Sequence, residues 1–255
     1  MEKDSITDIA AVILAAGKGK RMKSGLPKVL HRVGGHPLIE YVIKTAQSLN
    51  IRKVVVVVGH KGEMVEDFLK PYQVELVWQK ELLGTGHALL QARDRLSDFE
   101  GTVLVLCGDV PFLGTQTAKD LIHTHRKTGA SATVLTARLE DPKGYGRVIR
   151  GGDGSVEKIV EHKDATPGER MEKEINTGTF CFDSPLVFSS LDQVRKENEQ
   201  GEYYLTDVVQ ILRKSNHKIS AFQAENPHET MGINSLKQLR QMEELLANGK
   251  IKVDV

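Results

Sequence analysis

The residues best suited to chemistry lie between Val12 and Lys28, in the segment VILAAGKGKRMKSGLPK. An apolar run ends at Gly17, and five basic side chains follow within 11 residues. Glycines let backbone N–H groups approach a phosphate closely, while arginine and lysine neutralise its charge. The segment therefore predicts a polyanion site, with Arg21 and Lys28 as the main candidates. Contact with the ligand and simple solvation both stay open for Lys18, Lys20 and Lys23.

This loop is not a standard nucleotide motif. No Gly-Lys-Ser/Thr completes a P-loop, and Met22 occupies the third glycine position of a Rossmann fingerprint. The apolar stretch 9–16 before the loop is continuous, which is typical of a parallel strand covered on both faces. Because ligands bind beyond the carboxyl ends of strands in open α/β sheets, we expect the loop to line such a crevice.

A second candidate follows another apolar run, residues 102–106, which ends at Cys107-Gly108-Asp109. A carboxylate just past a strand in the same crevice is placed to hold a hard cation next to phosphates. The alternative is that Asp109 forms a turn or caps a helix before Pro111.

The segment from Gln79 to His87, QKELLGTGH, is the third candidate. Gly84 and Thr85 open a predicted helix, whose first N–H groups can bind a ligand. Gln79 carries both a donor and an acceptor, which suits the amide edge of a nucleobase. An ordinary turn followed by a helix cap explains the same residues, and both interpretations can hold together.

Four later segments place a glycine or a short polar side chain at a predicted strand end or turn. Such groups suit a polyhydroxylated ligand, although each alone is an ordinary turn. They are residues 144–147, 161–163, 174–178 and 232–234. Neither histidines at metal-ligand spacing nor a Ser-His-Asp or Cys-His arrangement is found.

The elements that position these residues follow from periodicity. Strands are predicted over residues 9–16, 53–58, 74–78, 102–106, 131–138, 146–150, 156–161, 175–182 and 218–223. Helices are predicted over 36–50, 61–69, 85–96, 115–127, 185–195, 204–213 and 233–248. The early alternation of strand and helix predicts parallel, right-handed βαβ units, and the later strands predict a mixed extension of one sheet. We expect one α/β domain over 9–234, a disordered extension over 1–8 and a helical tail over 235–255.

Composition narrows the class of protein. The net charge of +1 provides no global attraction to nucleic acid or an acidic membrane. Neither a signal peptide nor an apolar run of spanning length is recognisable, so we expect a cytoplasmic protein. Cys107 and Cys181 lie in apolar runs and are interpreted as reduced core thiols.

The assembled motifs resemble a known family. They are LAAGKGKRM, LPKVL, QKELLGTGHALLQA, LVLCGDVPFL, GYGRVIR, IVEHKDAT, EINTGTFCFD, NEQGEYYLTDVV and GINSLKQL, in this order over about residues 9–245. Together they resemble the sugar nucleotidyltransferases. The similarity is closest to the N-terminal uridyltransferase (pyrophosphorylase) domain of the bacterial bifunctional N-acetylglucosamine-1-phosphate uridyltransferase/glucosamine-1-phosphate acetyltransferases.

The resemblance implies a Rossmann-like GT-A fold and Mg²⁺-dependent transfer of UMP from UTP to N-acetylglucosamine 1-phosphate. That product is a cell-envelope precursor. The resemblance also implies that Arg21 and Lys28 neutralise the triphosphate, and that Asp109 and Asn234 bind Mg²⁺. The substrate-binding set it implies is Leu14, Ala15, Ala16, Gly17, Gln79, Gly84, Thr85, Cys107, Gly108, Gly146, Glu161, Asn176 and Thr177. Residues 203–204 and 206–207 match a motif near the sugar.

Two departures from the family pattern matter. The chain ends at NGKIKVDV without the hexapeptide repeats of the acetyltransferase half, so acetyl transfer is not expected. A monomer or weak homo-oligomer is expected instead of the trimer that those repeats build. Cys107 stands where relatives carry an aromatic or small residue. Two alternatives stay open: another sugar 1-phosphate or nucleotide as substrate, and a catalytically silent nucleotide-sugar-binding domain.

Overall fold

The computed structural model describes residues 8–51 and 53–251, so the predicted extension 1–8, apart from Asp8, lies outside the described residues. The described residues form eleven strands and seven α-helices. The strands are β1 (Ile9–Leu14), β2 (Arg32–Val33), β3 (His36–Pro37), β4 (Lys53–Val58), β5 (Glu75–Trp78), β6 (Thr102–Cys107), β7 (Ala132–Arg138), β8 (Arg147–Arg150), β9 (Val156–Val160), β10 (Glu174–Asp183) and β11 (Ile219–Gln223). The helices are α1 (Leu38–Ser48), α2 (Gly62–Leu69), α3 (Thr85–Leu90), α4 (Thr115–Thr128), α5 (Ser184–Leu191), α6 (Asp207–Lys214) and α7 (Leu236–Ala247).

Nine of the described strands form one sheet. Its main order is β11-β7-β10-β6-β1-β4-β5, and the β8–β9 hairpin joins it through β10. β1 pairs in parallel with both β4 and β6, whereas β10 runs antiparallel to β6 and β7. The expected mixed, mostly parallel sheet with flanking helices is confirmed. Its carboxyl edge collects the loops after β1, β4, β5 and β6.

The sequence of β1 explains its place at the centre. Ile9, Ala11 and Ile13 belong to the core on one face of the sheet, and Ala10 and Val12 belong to the core on the other. All five are buried. A strand covered on both faces must be apolar at every position, which is why the run shows no alternation.

A third core joins the last helix to the first. Met242 of α7 and Ile251 pack with Leu38, Tyr41 and Phe112. The Tyr41 hydroxyl, buried in this cluster, donates to the carbonyl of Val33 at 2.7 Å. α7 therefore packs against the N-terminal end of α1.

The helix predicted over 36–50 begins two residues late. His36 and Pro37 instead pair with β2 across a turn formed by Gly34 and Gly35, whose φ angles are +57° and +88°. Two consecutive residues with positive φ form the turn that fits the twist of a hairpin. Pro37 then precedes α1 with φ −58°, as proline permits.

Four other predicted helices are shorter than expected. The helix predicted over 233–248 spans only Leu236–Ala247. The helix predicted over 85–96 ends at Leu90 and continues as a 3₁₀ turn at Arg93–Leu96, and the one predicted over 185–195 ends at Leu191. The helix predicted over 204–213 begins at Asp207. The cause of the late start is tertiary, because the N–H of Leu205 donates to the Thr85 side chain.

An irregularity in β10 places the start of that strand beside the end of β6. Its register shifts between Asn176 and Phe180, and Gly178 adopts φ +83°. The Cys107 thiol donates to the carbonyl of Gly178 at 3.4 Å. A Cβ on Gly178 would lie 2.7 Å from the Cys107 sulfur, so this contact requires glycine.

We predict that Gly178→Ala lowers the free energy of unfolding by about 1–2 kcal/mol through its φ angle alone, and further through the clash with sulfur. In a double-mutant cycle measured by urea unfolding, adding Cys107→Ala should restore the part of the stability lost through the clash with sulfur. The part lost through the positive φ angle of residue 178 should remain. Gly168→Ala is the control, because Gly168 has φ −66° and a Cβ there would meet nothing within 4 Å. Wild-type stability of Gly178→Ala would contradict the expected strain.

Candidate active site

The predicted cation site and the predicted phosphate-binding lysine meet in the structure. The Lys28 Nζ lies 2.6 Å from the Asp109 Oδ2 and 3.1 Å from the Asn234 Oδ1. The Lys28 and Asp109 side chains are only 15% and 16% exposed. Three residues that are far apart in the sequence are thus brought together at the carboxyl ends of β1 and β6.

Backbone contacts hold Asp109 and Asn234 close together. The N–H of Gly108 donates to the carbonyl of Leu14 at 3.0 Å, and the N–H of Ile233 donates to the carbonyl of Asp109 at 2.8 Å. A Cβ on Gly232 would lie 3.3 Å from the Asn234 Nδ2 and 3.5 Å from the Asp109 Oδ2. The absence of a side chain on Gly232 lets the two segments approach this closely.

The donor set fits Mg²⁺. A carboxylate oxygen and an amide oxygen face the same point, and the Lys28 ammonium is the cation that they bind in the structure. Hard oxygen ligands of this kind, with one or two from protein and the rest from phosphates and water, are what Mg²⁺ prefers. Among residues 8–51 and 53–251 no group of three or more His, Cys, Asp or Glu side chains could hold a metal. The role of Asp109 and Asn234 as metal ligands stays a prediction.

The glycine loop is built onto neighbouring strands. Ala15 donates its N–H to the carbonyl of Val57 at 2.9 Å, and Ala16 accepts from the N–H of His60 at 3.1 Å. Gly19, with φ +57°, crosses directly over Lys28, where a Cβ would lie 2.8 Å from the Lys28 Cβ. The loop therefore covers the stem of this lysine.

The remainder of the loop is exposed around one anchor. Gly17, Lys18, Lys20, Arg21 and Lys23 are not buried, whereas Met22 is 1% exposed. Met22, which stands at the third glycine position of the Rossmann pattern, is the buried residue of the 3₁₀ turn Lys20–Met22. Its side chain therefore anchors the turn that carries Arg21 in the protein interior. Burial raises the pKa of Tyr145, and the charge of the exposed Arg21 side chain opposes that shift.

Gln79 is buried at the end of β5 with a fixed orientation. Its Nε2 lies 3.0 Å from the carbonyl of Gly84 and 3.0 Å from the His87 Nδ1. A carbonyl can only accept, so the amide nitrogen must face Gly84. Burial lowers the pKa of His87, which favours a neutral ring with an acceptor nitrogen. Gln79 was expected to present both a donor and an acceptor to a ligand. Its amide nitrogen is instead used within the protein, so only the amide oxygen is left as an acceptor.

Gly84 and Thr85 are held by the segment 203–205. Gly84 has φ +110°, and a Cβ there would lie 2.6 Å from the carbonyl of Tyr203. The Thr85 Oγ1 accepts from the N–H of Leu205 at 3.1 Å, and Gly86 donates to the carbonyl of Tyr203 at 2.8 Å. The segment expected near the sugar therefore also fixes the turn expected to read the base.

The residues expected to bind the sugar lie directly before β8 (Gly146), directly after β9 (Glu161) and within β10 (Asn176 and Thr177). A Cβ on Gly146 would lie 3.4 Å from the Glu161 carboxylate, and the Gly146 carbonyl accepts from the N–H of Asn176 at 2.9 Å. The Asn176 Oδ1 accepts from Gly178, which leaves its amide as a donor. The Thr177 hydroxyl donates to the carbonyl of Leu135 at 2.8 Å, so it is engaged by β7.

Glu161 is surrounded by other acids. Burial raises its pKa, and the carboxylates of Asp164, Asp207 and Glu202 add to the shift. The Thr206 hydroxyl donates to the Glu161 Oε1 at 3.3 Å. Burial and Asp164 raise the pKa of Asp207 to about 6.

The surroundings of the Cys107 thiol disfavour its thiolate form. Burial raises its pKa to about 12, with the charge of Asp109 adding to the shift. Its hydrogen bond to β10 agrees with the view that this position supplies backbone and packing.

No sequence signal beyond the GYGR turn marks Arg147, yet it is 2% exposed. Its guanidinium donates to the carbonyl of Tyr145, directly before Gly146. Burial lowers its pKa, with Asp141 opposing the shift. Residue type does not indicate this burial, because β8 carries an arginine at each end and of these two only Arg147 is buried.

We predict that Asp207→Asn stabilises the protein more at pH 8 than at pH 4. Because the folded state raises the pKa of Asp207 to about 6 from 3.8, this acid adds no penalty below the unfolded value. Its penalty grows as the pH rises between the two values and then stays constant. Urea unfolding at both pH values measures the difference, with exposed Asp67→Asn as the control. Equal effects of Asp207→Asn at both pH values would contradict the shift.

Solved nucleotidyltransferase structures share this fold. A UDP-glucose pyrophosphorylase complexed with UDP-glucose matches with a TM-score of 0.76 and 18% identity, over 95% of this chain and 99% of that chain. A putative glucose-1-phosphate thymidylyltransferase from Bacillus anthracis, in complex with a sucrose, matches with a TM-score of 0.74 and 19% identity, over 93% and 94%. At these identities the comparison establishes the fold alone. No helix among the described residues is long and apolar enough to cross a membrane.

Curated sequence relatives share a higher identity with this chain than these solved structures do. The bifunctional protein GlmU of Bacillus cereus (strain AH187) and that of Bacillus thuringiensis (strain Al Hakam) are each 51% identical over 238 residues, which is 93% of this chain and 52% of the relative. The chain thus spans about half the length of the curated relatives it matches. The resemblance seen in the motifs is confirmed. Since the model of the MobA-like NTP transferase domain matches residues 11–216, the chain belongs to that family.

Proposed function

We propose that this protein transfers UMP from UTP to N-acetylglucosamine 1-phosphate with Mg²⁺, giving UDP-N-acetylglucosamine and pyrophosphate. The observation that carries the proposal is the meeting of Lys28, Asp109 and Asn234 at the carboxyl ends of the central strands. This arrangement supports a cation site next to a loop that binds phosphate. Identity of 51% to the GlmU proteins over most of the chain supports the same reaction.

The orientation of Gln79 supports a uracil base. With its Nε2 facing Gly84, the oxygen of the amide is the group left for a ligand. That oxygen can accept from the N3–H of uracil or thymine, whereas the N3 of cytosine is itself an acceptor. Thymidine and uridine nucleotides remain distinguishable only through the methyl group and the ribose hydroxyl.

The chemistry requires positioning and charge neutralisation. An oxygen of the sugar phosphate attacks the α-phosphorus of UTP in line, and pyrophosphate leaves. No general base is needed, because the attacking phosphate is already anionic. Arg21 and Lys28 stabilise the charge that moves onto pyrophosphate, in the manner of a preorganised oxyanion site. Mg²⁺ on Asp109 and Asn234 would supply Lewis-acid neutralisation of the phosphate oxygens.

The sugar side offers groups suited to hydroxyls and an amide. Asn176 retains its amide donor, and Glu161 offers acceptors whose basicity is increased by burial. Gly146 leaves room beneath the Glu161 carboxylate. These groups favour N-acetylglucosamine 1-phosphate as substrate, while glucose 1-phosphate is the alternative within the same reaction class.

A pyrophosphate-release assay tests the proposal. We expect turnover with UTP and N-acetylglucosamine 1-phosphate that requires Mg²⁺, and much less with CTP because of the fixed Gln79 amide. Preference for glucose 1-phosphate would replace the sugar assignment. Binding of UTP and the sugar phosphate without turnover would identify a silent binding domain and overturn the proposal.

We predict that Arg21→Ala and Lys28→Ala each lower turnover by about 10²–10³-fold, the usual loss on removing one donor to developing charge. Circular dichroism should show an intact fold for both variants. Lys70→Ala serves as the control, since Lys70 is a surface lysine paired with Asp67 far along the chain. Near-wild-type turnover of both variants would refute the role of these side chains.

A further inference from the structure

We propose that Lys28 is an internal occupant of the cation site, which a divalent metal must displace in order to bind. The inference deepens the proposed function, since it rests on Asp109 and Asn234 being the metal ligands of that reaction. It assigns Lys28 two positions: on these two oxygens without metal, and on phosphate oxygens when metal and nucleotide are bound.

The geometry makes the two cations compete for the same oxygens. Asp109 has a second carboxylate oxygen, but Asn234 has only one side-chain oxygen, and Lys28 donates to it at 3.1 Å. A metal coordinated by both residues needs that oxygen at about 2.0–2.1 Å. An ammonium kept at 3.1 Å on the same oxygen would lie only about 4 Å from the metal, where the two positive charges repel each other strongly in a partly buried site.

The exchange must be concerted with phosphate binding. The Lys28 and Asp109 side chains are largely buried, and a partly buried ion pair is costly to break when one partner is left without a counter-charge. Metal alone would satisfy Asp109 but leave Lys28 without an anion. A triphosphate provides oxygens for Lys28 at the moment when the metal takes its place.

The fold permits the side chain to move while its base is fixed. Pro27 precedes Lys28, and Lys28 opens the 3₁₀ turn Lys28–Leu30. Gly19 covers its Cβ. The four-carbon stem beyond this point can still swing from the carboxylate towards the glycine loop.

Arg21 provides a matched comparison. It lies on the same loop and carries the same charge, but it is exposed and no hydrogen bond in the described part of the chain joins it to Asp109 or Asn234. General electrostatics would act through both residues. Competition for the ligand oxygens would act through Lys28 alone.

The test is Mn²⁺ binding to the full chain without substrates, measured by electron paramagnetic resonance of the free ion. We expect weak binding to the wild type and an increase in affinity of about tenfold or more in Lys28→Met, because a competing cation is removed. Lys28→Gln is a second variant in case Lys28→Met does not fold. Arg21→Met should change the affinity by less than about threefold, since an exposed charge is screened. Asp109→Asn added to Lys28→Met should abolish the gain.

Unchanged Mn²⁺ affinity in folded Lys28→Met or Lys28→Gln would overturn the proposal. An equal gain in Arg21→Met would also overturn it, because the effect would then be general electrostatics. The experiment is independent of turnover: a protein inactive with UTP and N-acetylglucosamine 1-phosphate could still show the exchange. Failure of the proposed function and failure of this inference are therefore distinguishable.

Discussion

The ion pair between Lys28 and Asp109, with Asn234 beside it, is the contact on which the site depends. It forms because β1 and β6 are parallel neighbours whose ends are paired, with Leu14 opposite Cys107. The Gly108 N–H then joins the two loops that leave these strands. Because β1 is buried on both faces, its pairing with β6 is fixed by the hydrophobic core. The position of the candidate active site therefore depends on the same core packing.

A second constraint connects the two halves of the crevice. The segment 203–206 bonds at one end to the turn at Gly84 and Thr85, and at the other end to Glu161 through Thr206. The predicted base site and the predicted sugar site are thereby parts of one hydrogen-bonded unit.

Much of this could be predicted from the sequence, and the remainder has physical reasons for being hidden. Uninterrupted apolar runs determine the parallel strands, and polar residues just past them mark the crevice. The β2–β3 hairpin was signalled only by Gly34-Gly35, since two paired residues give no periodicity. The orientation of Gln79 and the late start of α6 depend on tertiary hydrogen bonds, which no local pattern encodes. The structural role of Arg147 could not be predicted, because residue type and spacing do not indicate that a charged side chain is buried.

The most direct test of the central claim is a crystal structure of the chain with Mg²⁺ and a non-hydrolysable UTP analogue. We expect a metal ion on the Asp109 and Asn234 oxygens, with the Lys28 ammonium moved onto phosphate oxygens. A metal bound elsewhere, with Lys28 still on Asp109 and Asn234, would contradict the claim.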